Sequence, residues 1–375
     1  MVDWNGIYWG ESGSVAEYDK KKFEEFAAQT SEELFRACCD NNGRLKHIIR
    51  AEHFNLEFIR TICETAEAAR GVAKMEDKFM KGLLTSKSVL NYFHQPSSRT
   101  FLSFSMAEAH LGMRREEIRD IKTSSSSKGE SEKDSLRTDS SYFDAIVCRH
   151  PSDIYDLFAV WVMKTSNREL PFINAGSGKS EHPTQALLDY YTDWRWFKGD
   201  LDHKVIAYVG DCKRGRTIHS GAKLLALHKD MKVYFVAPPE LQIDEETERY
   251  LLDREVKVIK ETHGLAQVVP LVDKIYMTRI QNEHGGTGEY DPNFIFRKKF
   301  LGMMRPQAIL EHPMPKREEI DPEIDYIKND PAIKYWEEQR NGMWTRVAIL
   351  AYLFDVDVDI RRRYEKIKEI AEPKT

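Results

Sequence analysis

The sequence predicts an α/β fold of two domains, each a mostly parallel sheet flanked by helices. Three observations predict it. From about residue 45 onward, short apolar runs alternate with helical patterns, the rhythm of parallel strands joined by helical crossovers. The chain has 375 residues, enough for two domains at about 100–200 residues each. Polar clusters follow the apolar runs directly, and ligands of open α/β sheets bind beyond the carboxyl ends of the strands.

In chain order, residues 1–45 read as an N-terminal extension, with Trp4, Tyr8 and Trp9 expected at the surface and an amphipathic stretch over 18–38. Strands are predicted at 89–93, 145–148, 172–175, 205–209, 233–236, 256–259, 274–277 and 308–310. Helices are predicted at 101–111, 154–164, 183–194, 217–228 and 245–253, and one long helix over 343–370. Pro183 suits a first helical position, where no backbone N–H is needed. Two segments break the rhythm, 122–141 and 282–291, and their composition is that of surface loops. Long loops in α/β domains are also where lids and binding loops are found.

Composition narrows the function. Hydrophobic residues make up 41% and charged residues 31%, a globular balance. The net charge of −5 weighs against a nucleic-acid partner, and no apolar stretch reaches the ~18 residues of a membrane span. The opening MVDWNGIYWGESGS has neither the basic nor the apolar region of a secretory signal. Five cysteines, an odd number with no Cys-x-x-Cys pair, point to reduced thiols in a cytoplasmic protein rather than to disulfides or a zinc cage.

The polar clusters carry the chemistry. PSSRT runs from a strand into a helix, so the N–H groups of Ser98, Arg99 and Thr100 open a helix start that suits a phosphate, with the Ser97, Ser98 and Thr100 hydroxyls and the Arg99 guanidinium as further donors. An ordinary serine helix cap would account for the same letters. Arg149 follows a buried strand, a costly place for a cation that meets no anion. His182 and Gln185 share one face at a helix start, where a neutral histidine can donate to a carbonyl oxygen. GDCKRGRT, residues 210–217, approaches a phosphate-binding loop, but Arg216 stands in the lysine position, and a bidentate carboxylate clamp is the better reading. Arg279 and Gln281 alternate on one face of an extended segment and offer a second carboxylate grip. No acidic cluster with metal-ligand spacing and no nucleophile order accompanies these cations, so no metal and no cofactor is expected, and catalysis is expected to work by polarisation and positioning.

The set PSSRT, DAIVCRHP, PFINAGSGKSEHPTQALLDYYTDW, VIAYVGDCKRGRTIHS, KIYMTRIQNEH, ILEHPMPK and NGMWTRVAILA resembles, in order, the aspartate and ornithine carbamoyltransferases, and the aspartate branch more closely. That resemblance implies a carbamoyl-phosphate-binding domain over 46–183, completed by 343–375 as the C-terminal helix returns to it, and an amino-acid-binding domain over 184–342. It implies transfer of the carbamoyl group of carbamoyl phosphate to L-aspartate in pyrimidine biosynthesis, by homotrimers with shared active sites, and it allows an attached regulatory chain.

It also implies roles for individual residues. Ser97, Ser98, Arg99 and Thr100 would hold the phosphate, and Arg149 would touch phosphate and carbonyl oxygen. Thr100 and His182 would polarise the carbonyl, and Gln185 with the backbone of Pro313 and Met314 would hold the carbamoyl NH₂. Ser124 and Lys128 would come from a neighbouring subunit; Arg216 would take the α-carboxylate of aspartate, and Arg279 and Gln281 its β-carboxylate. The chain departs from the family at Ser98 for threonine, Phe101 for arginine, Met314 for leucine and Lys316 for arginine. Ornithine or another amine as acceptor, a phosphate-loop nucleotide protein, and a non-catalytic relative are the competing readings.

Overall fold

A computed structural model of the chain describes residues 6–10, 13–119, 129–279 and 291–371. It divides into two units, Met1–Thr184 with Met343–Thr375, and Gln185–Gly342.

The first unit begins with helices α1 (Ser14–Ala27) and α2 (Ser31–Ala37). Thr30 caps α2 in a reciprocal box with Glu33, which satisfies two helix-end donors. Helices α3 (Leu56–Met75) and α4 (Asp77–Gly82) follow, then β1 (Ser88–Phe93), α5 (Ser98–Leu111), β2 (Arg114–Ile118), α6 (Glu132–Tyr142), β3 (Ala145–His150), α7 (Tyr155–Lys164) and β4 (Phe172–Ser177). The four strands form a parallel sheet in the order β2-β1-β3-β4. Strands β1 and β3 are each buried along nearly their whole length, as expected of a sheet covered on both faces.

The chain crosses into the second unit within α8 (Pro183–Trp196). There β5 (Val205–Val209), α9 (Arg216–Leu225), β6 (Lys232–Val236), α10 (Glu245–Leu252), β7 (Lys257–Glu261), β8 (Lys274–Met277) and β9 (Ile309–Glu311) build a parallel sheet in the order β7-β6-β5-β8-β9. Alternate residues of β5 face opposite ways: Ala207 and Val209 join a core with Met277, Phe294 and Leu310, while Ile206 and Tyr208 join another with Ile218 and Phe235. Gly210, at φ 113°, ends β5 where a Cβ would lie 2.3 Å from the Thr278 carbonyl oxygen, so only glycine fits the turn.

Helix α11 (Tyr335–Leu353) leads back to the first unit and α12 (Asp357–Ala371) closes the described chain. The single helix expected over 343–370 is thus two, broken where Asp355 takes a left-handed φ of 58° and the Val356 N–H turns back to the Ala351 carbonyl. Helix α12 lies so close to α3 that a Cβ on Gly71 would come within 2.1 Å of the Tyr364 ring.

One strand was not foreseen, and two further expectations change. Edge strand β2, four exposed charged residues followed by Ile118, carries no apolar pattern and was invisible to periodicity. Most of the expected loop over 122–141 falls outside the described residues or into α6, whose Ser131 cap accepts from the Asp134 N–H. Trp9 lies against Phe23, Phe158 and Trp161 at ring distances of 5.9, 5.3 and 6.4 Å, so it is part of the core rather than a surface group; Tyr8 is 40% exposed. The segment expected over 282–291 lies outside the described residues except Asp291, which caps a short 3₁₀ turn.

Candidate active site

In the first unit the adjacent strands β1, β3 and β4 end side by side, and the predicted residues follow those ends. Phe93 is the register partner of Arg149, and the His94 N–H donates to the Arg149 carbonyl at 2.9 Å. The serine–arginine loop therefore leaves the sheet directly beside Arg149. Ser97 holds the N-cap position of α5 without a side-chain cap bond, so its hydroxyl is not used as the helix cap that composition alone would suggest. Ser98 and Arg99 are exposed and Thr100 is buried at 6% exposure, which leaves a helix start rich in N–H and O–H groups. Arg149 is anchored by a bond from Nη1 to the Ala175 carbonyl at 3.2 Å. Beyond β4, Ser177 pairs with Glu181, and His182 is buried just ahead of Pro183, the first residue of α8. Ser97, Ser98, Arg99, Thr100, Arg149 and His182 thus lie at or just beyond neighbouring strand ends of one sheet.

In the second unit β5, β8 and β9 are also neighbours. Arg216 opens α9 beyond β5, Arg279 follows β8 by two residues, and His312, Pro313 and Met314 follow β9. His312 fixes that last turn: its Nδ1 accepts from the Met314 N–H at 2.8 Å, its Nε2 faces Glu319 at 2.7 Å, and its backbone N–H donates to Glu338 at 3.0 Å. Gln185 is 8% exposed, and its amide nitrogen donates to Asp189 at 2.7 Å and lies 3.4 Å from Glu338, which leaves the amide oxygen as the group it can offer a ligand. Ser124, Lys128 and Gln281 lie outside the described residues.

Sequence reading missed the groups beneath Gln185. Asp189, Asp193, Glu311 and Glu338 are all buried around Lys274, whose ammonium meets Asp193 and Glu311 at 2.7 Å each, while the Tyr276 hydroxyl donates to Asp189 at 2.8 Å. Burial raises the pKa of Glu311 and Glu338 well above the ordinary carboxylate value and pushes Asp189 up to about 6, against the pull of Lys274 and the Tyr276 hydroxyl on Asp189. Glu338 sits in the polar run YWEEQR, which by pattern alone is a solvated helix face, so no sequence signal marked it.

Family models match both units. Residues 46–195 match the carbamoyl-P binding domain of the aspartate/ornithine carbamoyltransferases, and residues 202–353 match their Asp/Orn binding domain. The chloroplastic aspartate carbamoyltransferase 1 of Pisum sativum is 35% identical over 320 residues, 83% of this chain and 79% of that protein. The chain belongs to the aspartate/ornithine carbamoyltransferase family. Among solved structures, the catalytic subunit of M. jannaschii aspartate transcarbamoylase superposes with a TM-score of 0.74 at 35% identity, covering 83% of this chain and 98% of that one. The Trypanosoma cruzi aspartate transcarbamoylase, solved with carbamoyl aspartate and phosphate, gives a TM-score of 0.71 at 32% identity, covering 81% and 94%.

Proposed function

We propose that this protein transfers the carbamoyl group of carbamoyl phosphate to the amino group of L-aspartate, giving N-carbamoyl-L-aspartate and phosphate for pyrimidine biosynthesis. The observation that carries the reading is the row of adjacent strand ends bearing Ser97–Thr100, Arg149 and His182, within a chain matched in order by both halves of the family.

In this mechanism the start of α5, with Ser97, Ser98 and Arg99, binds the phosphate, and Ser124 and Lys128 of a neighbouring chain complete it in a homotrimer. Residues 46–183 with 343–375 bind carbamoyl phosphate, and 184–342 bind aspartate. Arg216 holds the α-carboxylate, and Arg279 with Gln281 holds the β-carboxylate. Gln185 accepts from the carbamoyl NH₂ through its free oxygen, beside the backbone of Pro313 and Met314. The neutral amine attacks the carbamoyl carbon and forms the C–N bond. Arg149, Thr100 and His182 donate to the oxygen as negative charge gathers on it. The C–O bond to phosphate then breaks, and the departing phosphate takes the amine proton. Five buried free thiols suit a reducing compartment such as the cytoplasm.

The test is an acceptor screen: purified protein, carbamoyl phosphate, and a panel of amines including L-aspartate and L-ornithine, with product identified by mass and phosphate by release. Carbamoyl-aspartate is the expected product. Turnover with ornithine alone would move the protein to the other branch of the family. No turnover with any acceptor would leave it a non-catalytic relative.

A further inference from the structure

Behind the carbamoyl-phosphate half of the proposed site lies a buried polar cluster that the mechanism does not use. His94 lies just beyond β1 and three residues before Ser97, Glu132 opens α6, and His150 ends β3 next to Arg149. Their donor atoms all lie within 4.8 Å of one another. Glu132 is 6% exposed and His150 2% exposed. Nε2 of His94 and Oε2 of Glu132 are buried and have no hydrogen-bond partner among the described residues.

Such a trio has the composition of a cation site, but its tautomer argues otherwise. His150 Nδ1 accepts from the Ser152 N–H at 3.1 Å, the turn that His312 makes with Met314. Burial holds His150 neutral, down to about 3, so its one proton is on Nε2, which points at Glu132 Oε1 3.5 Å away. A cation would have to displace that proton from a ring whose other nitrogen already accepts a bond. The cluster is a close-packed polar set, with the His150 Nε2 proton aimed at Glu132 and the His94 ring 4.6 Å from the His150 ring.

Glu132 is also where the N-terminal extension arrives. Its backbone N–H donates to the Tyr8 carbonyl at 3.0 Å, and its carboxylate accepts from the Tyr8 N–H. A Cβ on Gly10 would lie 3.6 Å from Ser131, and one on Gly6 would lie 3.4 Å from Ser152, so the segment runs along both neighbours of the cluster. Lys133 pairs with Asp19 of α1, and Trp9 and Phe23 pack edge-on against Phe158 of α7.

We propose that Glu132 is a positioning residue through which the N-terminal segment holds together two parts of the carbamoyl-phosphate half-site: the serine–arginine loop by way of His94 and the Arg149 strand end by way of His150. This rests on the proposed carbamoyl transfer for its kinetic readout, and on nothing but the fold for its second one. The extension is then part of the working enzyme rather than an appendage.

Two variants and two readouts test it. Glu132→Leu removes every bond the carboxylate makes. A misplacement of this kind costs up to about a hundredfold in rate, and the expected effect is a KM for carbamoyl phosphate raised about tenfold or more, with KM for aspartate near wild type. Glu132→Gln keeps an oxygen for the Tyr8 and His150 donors and should return KM to within about threefold of wild type. Amide hydrogen exchange should accelerate at 97–101 and 149–152 in the leucine variant and not in the glutamine variant. A chain lacking residues 1–8, which retains Trp9, should show the same two changes and decides the matter if the leucine variant fails to fold.

A folded leucine variant with wild-type KM and wild-type exchange overturns the proposal. So does stoichiometric zinc in the purified protein that Glu132→Gln abolishes. If the wild-type protein turns over no acceptor, the exchange data still decide the role of Glu132, and only the proposed function falls.

Discussion

Thr100 shows how a single side chain can be read and then tested. It is 6% exposed in the first turn of α5, so its hydroxyl is held by packing and not by solvent. Removing one preorganised donor to a developing oxyanion costs about 10²–10³ in kcat. Thr100→Val should therefore lower kcat by about a hundredfold with little change in KM for aspartate, read by steady-state kinetics. Wild-type kcat would take Thr100 out of the reaction. Arg216→Lys replaces a fork by a point charge at a site read as a carboxylate clamp. It should raise KM for aspartate by about tenfold and leave KM for carbamoyl phosphate in place, since a lost charge-assisted bond is worth about 1.5–3 kcal/mol. Most of these residues were legible because they follow apolar runs directly and bear charge where burial makes charge costly. Glu338, Asp189 and Glu132 were not legible. Glu338 and Glu132 are acids in polar helical runs, Asp189 sits among the apolar and aromatic residues of ALLDYY, and only the fold reveals which partners all three are buried against.

At the scale of elements, the pairing of α5 with β1 carries a titratable group. Glu108 is 0% exposed, and both its oxygens accept from the Asn91 amide, at 3.0 and 2.9 Å. Burial pushes its carboxyl from 4.5 up to about 7, against the Asn91 bonds that favour the charged form. A folded-state pKa above the unfolded one means the folded chain holds the proton more tightly. The stability this contributes is complete below about pH 4.5 and is lost as pH rises through about 7. Glu108→Gln removes the ionisation, and Asn91 Oδ1, which has no partner among the described residues, can accept from the new amide. The variant should match wild type near pH 5 and exceed it above pH 8 by at most about 3 kcal/mol, measured by urea unfolding at both values. Equal stability at both would show that Glu108 stays unperturbed. On β8, Lys274→Met takes the ammonium from between buried Asp193 and Glu311, and should cost about 3–5 kcal/mol at pH 7 in urea unfolding. The strands that could be read were the buried ones, whose apolar runs stand out. Edge strand β2 could not, because its residues alternate nothing and face water. Helix α6 was hidden for the same reason: its serines and acids are caps and buried contacts, and composition reads them as a loop.

For the whole molecule, two parallel sheets in one chain were legible from the alternation of strands and helices, because that rhythm follows from how parallel strands must be connected. Assembly is a different matter, since it depends on surfaces that no periodicity encodes. It has its own consequence in the proposed mechanism. If Lys128 acts in the site of a neighbouring chain and Arg149 acts in its own, a lesion in either inactivates a homotrimer built from one variant. In a mixed trimer, some sites receive an intact Lys128 from a chain that lacks Arg149 and meet an intact Arg149 on the chain that lacks Lys128. Lys128→Ala and Arg149→Ala proteins, each inactive alone, should therefore regain a substantial part of wild-type activity after being dissociated together and reassembled. Mixing them without dissociation should restore nothing. Recovery would appear in the carbamoyl-aspartate assay alongside a trimer mass in solution, and its absence from reassembled hybrid trimers would place both residues in the site of a single chain.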